Sequence, residues 1–164
     1  MIKAVFPGSF DPPTHGHLDI IRRSARIFDS LDVVIAVNHH KAPLLSTDER
    51  KRLLLGEIAA MSLKNVAVAV YEGLVVEYCR SVKATVLLRG LRSSSDYNYE
   101  FELSIINKQL DEGIETVMIP AAAKYFILKS STIKELLNLG GDISHMVPHA
   151  VEMALLSCHG DGAS

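Results

Sequence analysis

The sequence predicts an α/β fold: a doubly wound parallel sheet of five strands with helices on both faces. Three observations predict it. Short runs rich in Val and Ile recur along the chain with little polar alternation, the pattern of strands covered on both faces. Amphipathic stretches of helical period separate these runs. The chain has 164 residues, enough for one domain to bury a sizeable core without disulfides or metals.

The strands read as Ile2–Phe6, Asp32–Val37, Val66–Val70, Thr85–Leu88 and Thr116–Ile119. The first helix is predicted from about His15 to Phe28, with Leu18, Ile21, Ala25 and Phe28 on one side. The second starts at Ser46, which with Glu49 has capping-box spacing. A third covers roughly Leu74–Val82. A fourth runs from Ser95 or Asp96 to Leu110, with Gly113 just beyond it. A fifth starts near Ser130 and ends at Gly140-Gly141, and a sixth follows Pro148. This order, with strands alternating with helices, is that of a Rossmann-like sheet in a single domain. The domain is expected over 1–158, with 159–164 as a flexible C-terminal tail.

Composition narrows the function. The chain is 48% hydrophobic and 22% charged, which is ordinary for a globular domain. A formal charge of −2, from 17 basic and 19 acidic residues, argues against a broad nucleic-acid-binding face and leaves room for a local anion site. No apolar run approaches a membrane span and no signal peptide is visible, so the expected location is cytoplasmic. The only cysteines, Cys79 and Cys158, are read as helix-packing residues rather than a disulfide framework.

In such sheets ligands bind beyond the carboxyl ends of the strands, so the residues after each strand carry the functional signal. After the first strand comes Pro7-Gly8-Ser9-Phe10-Asp11-Pro12-Pro13-Thr14-His15-Gly16-His17. Gly8 permits a tight turn or a close ligand approach. Thr14 is a plausible N-cap, which puts His17 in the first helical turn facing the loop, where free N–H groups favour phosphate. After the second strand, Asn38-His39-His40-Lys41 offers a mobile cation. After the fourth, Arg89-Gly90-Leu91-Arg92 offers two planar guanidinium forks suited to phosphate oxygens. Neither His15 with His17 nor His39 with His40 has the partners of a metal site. The glycine fingerprints of NAD-binding and P-loop proteins are absent.

Thr14-His15-Gly16-His17 resembles the signature of the nucleotidyltransferase superfamily that carries (His/Thr)-x-Gly-His. The wider string Pro7–Asp19 is similar to the bacterial phosphopantetheine adenylyltransferase family. So are Arg89-Gly90-Leu91-Arg92 with Asp96-Tyr97 and Tyr99-Glu100, then Lys129–Glu135, and Gly141-Asp142-Ile143-Ser144 running into Val147-Pro148. These matches follow the family's order across almost the whole chain.

The resemblance implies an enzyme that transfers AMP from ATP to 4′-phosphopantetheine, releasing pyrophosphate and forming dephospho-coenzyme A. It implies that Ser9, Lys41, Arg89 and the backbone at Leu74-Val75 contact phosphopantetheine. It implies that Ser9, Phe10, His17, Gly90, Leu91, Arg92, Glu100 and the Ser130-Ser131 helix start contact ATP. Mg²⁺ bound through the ATP phosphates, a homohexamer, and coenzyme A as a feedback ligand are implied in the same way. Ser9 stands where the family often has Thr, and Asn98 where an acid is common. Ala121-Ala122-Ala123-Lys124 and Lys129 depart from the family's Ser-rich approach to the last helix.

An acceptor phosphate is already ionised at neutral pH, so this chemistry needs no general base, and catalysis rests on positioning and charge stabilisation. His17 is expected to stabilise charge at the α-phosphate. Lys41 and Arg89 are expected to hold the acceptor phosphate, and Arg92 with the Ser130 helix start the leaving pyrophosphate. The rivals are nicotinamide or nicotinate mononucleotide adenylyltransferase, cytidylyltransferases, and a non-catalytic nucleotide-binding module. Thr14, where the mononucleotide enzymes usually carry His, speaks against the first. The Arg89–Glu100 string speaks against the first two, and the intact set of Ser9, His17, Lys41, Arg89 and Arg92 against the last.

Overall fold

The structure is a computed structural model describing residues 1–38, 42–126 and 128–160. It contains β1 (Lys3–Gly8), α1 (His15–Ser24), β2 (Ser30–Ala36), α2 (Thr47–Ala60), β3 (Val66–Tyr71), α3 (Val75–Ser81), β4 (Val86–Leu91), α4 (Ser94–Leu110), β5 (Glu115–Pro120), a short 3₁₀ turn (Ala123–Tyr125), α5 (Ser130–Asn138) and α6 (His149–Gly160). The five strands form one parallel sheet in the order β3-β2-β1-β4-β5. The chain winds outward from β1 through β2 to β3, returns, and winds outward on the other side. The reversal falls between β1 and β4, the expected ligand position.

Alternation along the strands builds two cores. Ala4 and Phe6 of β1, Leu31, Val33 and Ile35 of β2, and Leu88 of β4 pack with Ile20 and Ile21 of α1 and Leu54 and Ile58 of α2. Val5, Val34 and Leu87, on the opposite face, pack with Val76 and Cys79 of α3. Each fully buried aliphatic side chain contributes about 1.5–3 kcal/mol from apolar burial. A third cluster joins Leu45, Leu53, Leu128, Ile133, Leu137 and Val151, and seats α5 and α6 against the loop before α2.

The β1–β2 ladder runs from Lys3 to Gly8, whereas the recorded β1–β4 register covers only Ala4 and Val5. Pro7 has no N–H to give a ladder. Arg89 fills part of the parting, donating from Nη1 to the Pro7 carbonyl at 3.1 Å. The sheet thus opens at its carboxyl end, between the first and fourth strand ends.

Several boundaries differ from the sequence reading. α1 stops at Ser24 rather than Phe28, because Ile27 and Phe28 both turn back to the Ser24 carbonyl at 3.0 Å, a contraction that still buries Phe28. Ser46 caps α2 by accepting from the Glu49 N–H at 3.2 Å, but the Glu49 carboxylate pairs with Arg52 instead of closing a box. α4 begins at Ser94 because Ser93 supplies the cap, accepting from the Asp96 N–H at 3.1 Å. Cys79 is buried, but Cys158 is exposed on α6, so the packing role read for it does not hold. Residues 161–164 of the expected tail lie outside the described residues, and α6 reaches Gly160.

Candidate active site

The β1–α1 loop builds the centre of the site. Thr14 is the N-cap of α1, and its hydroxyl accepts from the His17 N–H at 3.2 Å. In return the Thr14 N–H donates to His17 Nδ1 at 3.1 Å. This is a capping box in which histidine takes the place usually held by Glu or Gln. An Nδ1 that accepts cannot carry the proton, so the neutral ring carries it on Nε2. Burial first, and the nearby Arg92 charge second, lower the His17 pKa from 6.5 to about 4. His17 is therefore a neutral donor at physiological pH.

Phe10 fixes the ring from beside it. It is fully buried, has a left-handed backbone (φ 46°), and meets His17 edge to face at 5.0 Å and Phe6 at 5.5 Å. Its ring occupies the space over Gly8, where an added Cβ would lie 3.0 Å from it. At Gly90 a Cβ would lie 2.4 Å from Ile20 Cδ1, so the missing side chain lets α1 lie close over the end of β4.

The β4 end supplies the cations. Arg89 forms a fork on Glu100, Nε to Oε2 at 2.6 Å and Nη2 to Oε1 at 2.5 Å, in addition to its bond to Pro7. Among the described residues these contacts engage three of the five guanidinium N–H bonds, which leaves two for a ligand. Arg92 donates from Nε to Asp96 at 3.0 Å and from Nη1 to the Leu128 carbonyl at 3.3 Å, tying the β4 end to the approach of α5. At the start of α5, Lys129 lends no side-chain acceptor to the first turn, so its N–H groups are open to an anion. Ser130 donates to the Pro12 carbonyl at 3.1 Å and joins this helix start to the first loop.

These groups surround a cleft of about 360 Å³ that includes Ser9, Phe10, His17, Arg89, Gly90, Arg92, Glu100, Ser130 and Ser131. A second cavity of about 430 Å³ adjoins it, sharing Ser9, Ser130 and Ser131 and reaching Ala36 and Asn38 at the end of β2. Of the other residues singled out from sequence, Leu91 uses its carbonyl to hold Ala121 at 2.7 Å. Leu74 and Val75 stand at the start of α3 and line neither cavity. Lys41, with His39 and His40, lies outside the described residues.

Sequence reasoning missed Asp11, Arg50 and Lys134, which line the second cavity. Arg50 is buried and donates to the Ser9 carbonyl at 2.7 Å and to Thr47 at 2.9 Å. Lys134 could have been found, since it lies one turn beyond Ser130 on the same face. Asp11 and Arg50 carry no local pattern, because their partners are distant in sequence.

A histidine donor, two arginines and an open helix N-terminus converge where a parallel sheet reverses. That arrangement suits charge stabilisation on phosphate, and the Thr14 hydroxyl that meets His17 Nδ1 at 3.1 Å is buried in the helix cap, so the fold and the site define a nucleotidyltransferase. Residues 5–136 match the cytidylyltransferase-like family. The phosphopantetheine adenylyltransferase of Thermosynechococcus vestitus is 48% identical over 94% of this chain and 91% of its own. That of Caldanaerobacter subterraneus is 42% identical over 95% of this chain and 96% of its own. The solved Plasmodium falciparum nicotinic acid mononucleotide adenylyltransferase shares the fold, with a TM-score of 0.67 and 15% identity over 92% of each chain. The chain belongs to the cytidylyltransferase-like family and, within it, to the phosphopantetheine adenylyltransferases.

Proposed function

We propose that this protein transfers the adenylyl group of ATP to 4′-phosphopantetheine. An acceptor phosphate oxygen bonds to the α-phosphorus while the bond from that phosphorus to the bridging oxygen of the β-phosphate breaks. The products are dephospho-coenzyme A and pyrophosphate. The observation that carries the reading is His17, held as a neutral Nε2–H donor in one cleft with Arg89 and Arg92 of the β4 end. Its N–H strengthens its bond to an α-phosphate oxygen as charge builds in the transition state, and no proton need leave it.

Arg89, oriented by Glu100, offers its two remaining N–H bonds to the acceptor phosphate, with Ser9 in the same cleft; Lys41 is assigned to that phosphate by family likeness alone. Arg92 and the Ser130-Ser131 helix start hold the departing pyrophosphate. Leu74-Val75 is assigned to the pantetheine arm by family likeness alone. Asp11 and Glu100, carboxylates that line the two cavities, and Asp96, which holds Arg92, are each paired with a cation. Among the described residues no cluster of metal-ligating side chains exists. Mg²⁺, the proposed cofactor, therefore fits as an ion held by the ATP phosphates, where it would neutralise phosphate charge.

The proposed assembly is a homohexamer. Its support is α4, which leaves Tyr97, Tyr99, Phe101, Ile105 and Ile106 exposed. Coenzyme A, which contains the acceptor's own pantetheine arm, is the proposed feedback ligand. The unpaired cysteines suit a reducing cytoplasm. Pyrophosphate release tests the reading. ATP with phosphopantetheine is expected to give turnover, and ATP with nicotinamide mononucleotide or phosphocholine none. Equal turnover with either alternative acceptor overturns it.

A further inference from the structure

Asp11 sits in the first loop between Phe10 and the Pro12-Pro13 pair, and its side chain is only 7% exposed. Its two oxygens gather three segments of the chain. Oδ1 accepts from the N–H groups of Leu44 at 3.1 Å and Leu45 at 2.9 Å. Oδ2 accepts from Leu44 at 2.9 Å and from Lys134 Nζ at 2.5 Å. Leu44 and Leu45 end the segment that follows Lys41, and Leu45 is anchored in the core beneath α5. Lys134 stands one turn into α5, on the face of Ser130.

A single carboxylate thus ties the loop bearing Ser9 and Phe10 to the segment after Lys41 and to the helix whose start faces the cleft. On the proposed reaction, those are the acceptor side and the leaving-group side. In-line transfer requires both to be held at a fixed separation.

We propose that Asp11, through Lys134 and the Leu44–Leu45 amides, is a positioning residue for adenylyl transfer, setting the distance between the acceptor and pyrophosphate subsites. This rests on the function proposed above. Asp11 touches no reacting atom in this arrangement, so its loss should weaken alignment more than binding. An amide at this position has one acceptor oxygen in place of two, and its NH₂ opposes either a backbone N–H or the Lys134 ammonium.

The test uses the intact protein with ATP and phosphopantetheine. Asp11→Asn, Lys134→Met, Lys134→Arg and the double variant Asp11→Asn/Lys134→Met are compared by kcat, acceptor KM, and ATP Kd with stoichiometry by calorimetry. Asp11→Asn and Lys134→Met are expected to lower kcat about 10- to 100-fold, the scale of a misplacement near 1 Å. ATP stoichiometry should hold and ATP Kd should move less than about threefold, which separates lost alignment from lost folded protein. The double variant should fall little further than Asp11→Asn, because the two residues act as one unit. Lys134→Arg should recover most of the rate.

Undiminished kcat in Lys134→Met, judged on samples whose ATP stoichiometry holds, overturns the inference while wild-type turnover still stands. So does a rate that falls only as ATP stoichiometry falls. Wild-type protein that releases no pyrophosphate with phosphopantetheine overturns the functional reading and this inference together.

Discussion

The backbone N–H of Thr14 donates to Nδ1 of His17 at 3.1 Å, and this one bond decides which ring nitrogen carries the proton. The Thr14 hydroxyl accepts from the His17 N–H in return, so the bond that caps the helix also orients the donor. A helix start and a phosphate donor are thereby made from the same pair of residues. Disturbing either has consequences for both stability and chemistry.

The first consequence is kinetic. Replacing His17 with Ala should lower kcat by about two to three orders of magnitude, the scale of losing one charge-stabilising donor. ATP Kd should change much less, since Arg92 and the α5 start remain. Asn should restore part of the rate, because it donates without titrating. The measurement is kcat and ATP Kd for the three proteins, and near-full kcat in His17→Ala with only weakened ATP binding would contradict the role.

The second is the pH dependence of stability. The His17 pKa is about 4 in the folded protein and 6.5 in the unfolded chain. Between these values the unfolded chain binds the extra proton, so stability attributable to this group rises with pH across that window. Above 6.5 the contribution is fully present, and it is lost as pH falls toward 4. Chemical denaturation of wild type and His17→Gln from pH 4 to pH 8 should show that part of the slope disappearing in the variant. Identical slopes would show that His17 titrates normally.

Gly90 gives a packing prediction. A Cβ there would lie 2.4 Å from Ile20 Cδ1, and Ile20 is buried. Gly90→Ala should therefore cost about 1–3 kcal/mol by overpacking. Adding Ile20→Val removes the terminal carbon and should return part of that loss, a coupling measurable in a double-mutant cycle by urea unfolding.

The periodicity of the strands and helices made the sheet legible, because buried parallel strands and amphipathic helices write their burial into local sequence. The positions of His17, Arg89 and Arg92 followed from the rule that strand ends carry the site, and all three line the cleft. The His17 capping box was harder to read, since a box is sought with Glu or Gln as its third residue after the cap. Asp11 pairs with a lysine 123 residues away, and Arg50 holds a carbonyl 41 residues away. Such contacts depend on where the chain returns in space, and no spacing rule announces them.

The last prediction concerns Arg89 and Glu100. Arg89 is half-buried at the parting of β1 and β4, and Glu100 is buried on α4, so their fork is shielded from water. Glu100 occupies Nε and one N–H of Nη2, while Pro7 takes one N–H of Nη1. The remaining two N–H bonds are on the two terminal nitrogens, the pair that can grip phosphate. Glu100→Gln keeps the shape but removes the charge and turns one fork contact into a donor facing a donor. Arg89 would then lose its fixed orientation, although its charge would stay. The acceptor KM should rise about 10-fold or more, on the scale of an impaired charge-assisted hydrogen bond. Arg89→Lys should raise it as well, because an ammonium cannot hold Glu100, Pro7 and a phosphate in one plane. Folded stability should fall in both, since each leaves a buried partner incompletely bonded. Steady-state kinetics at varied phosphopantetheine, with thermal unfolding of the same samples, would check both effects. An unchanged acceptor KM in Glu100→Gln would assign the pair to holding the sheet ends together and remove Arg89 from the acceptor site.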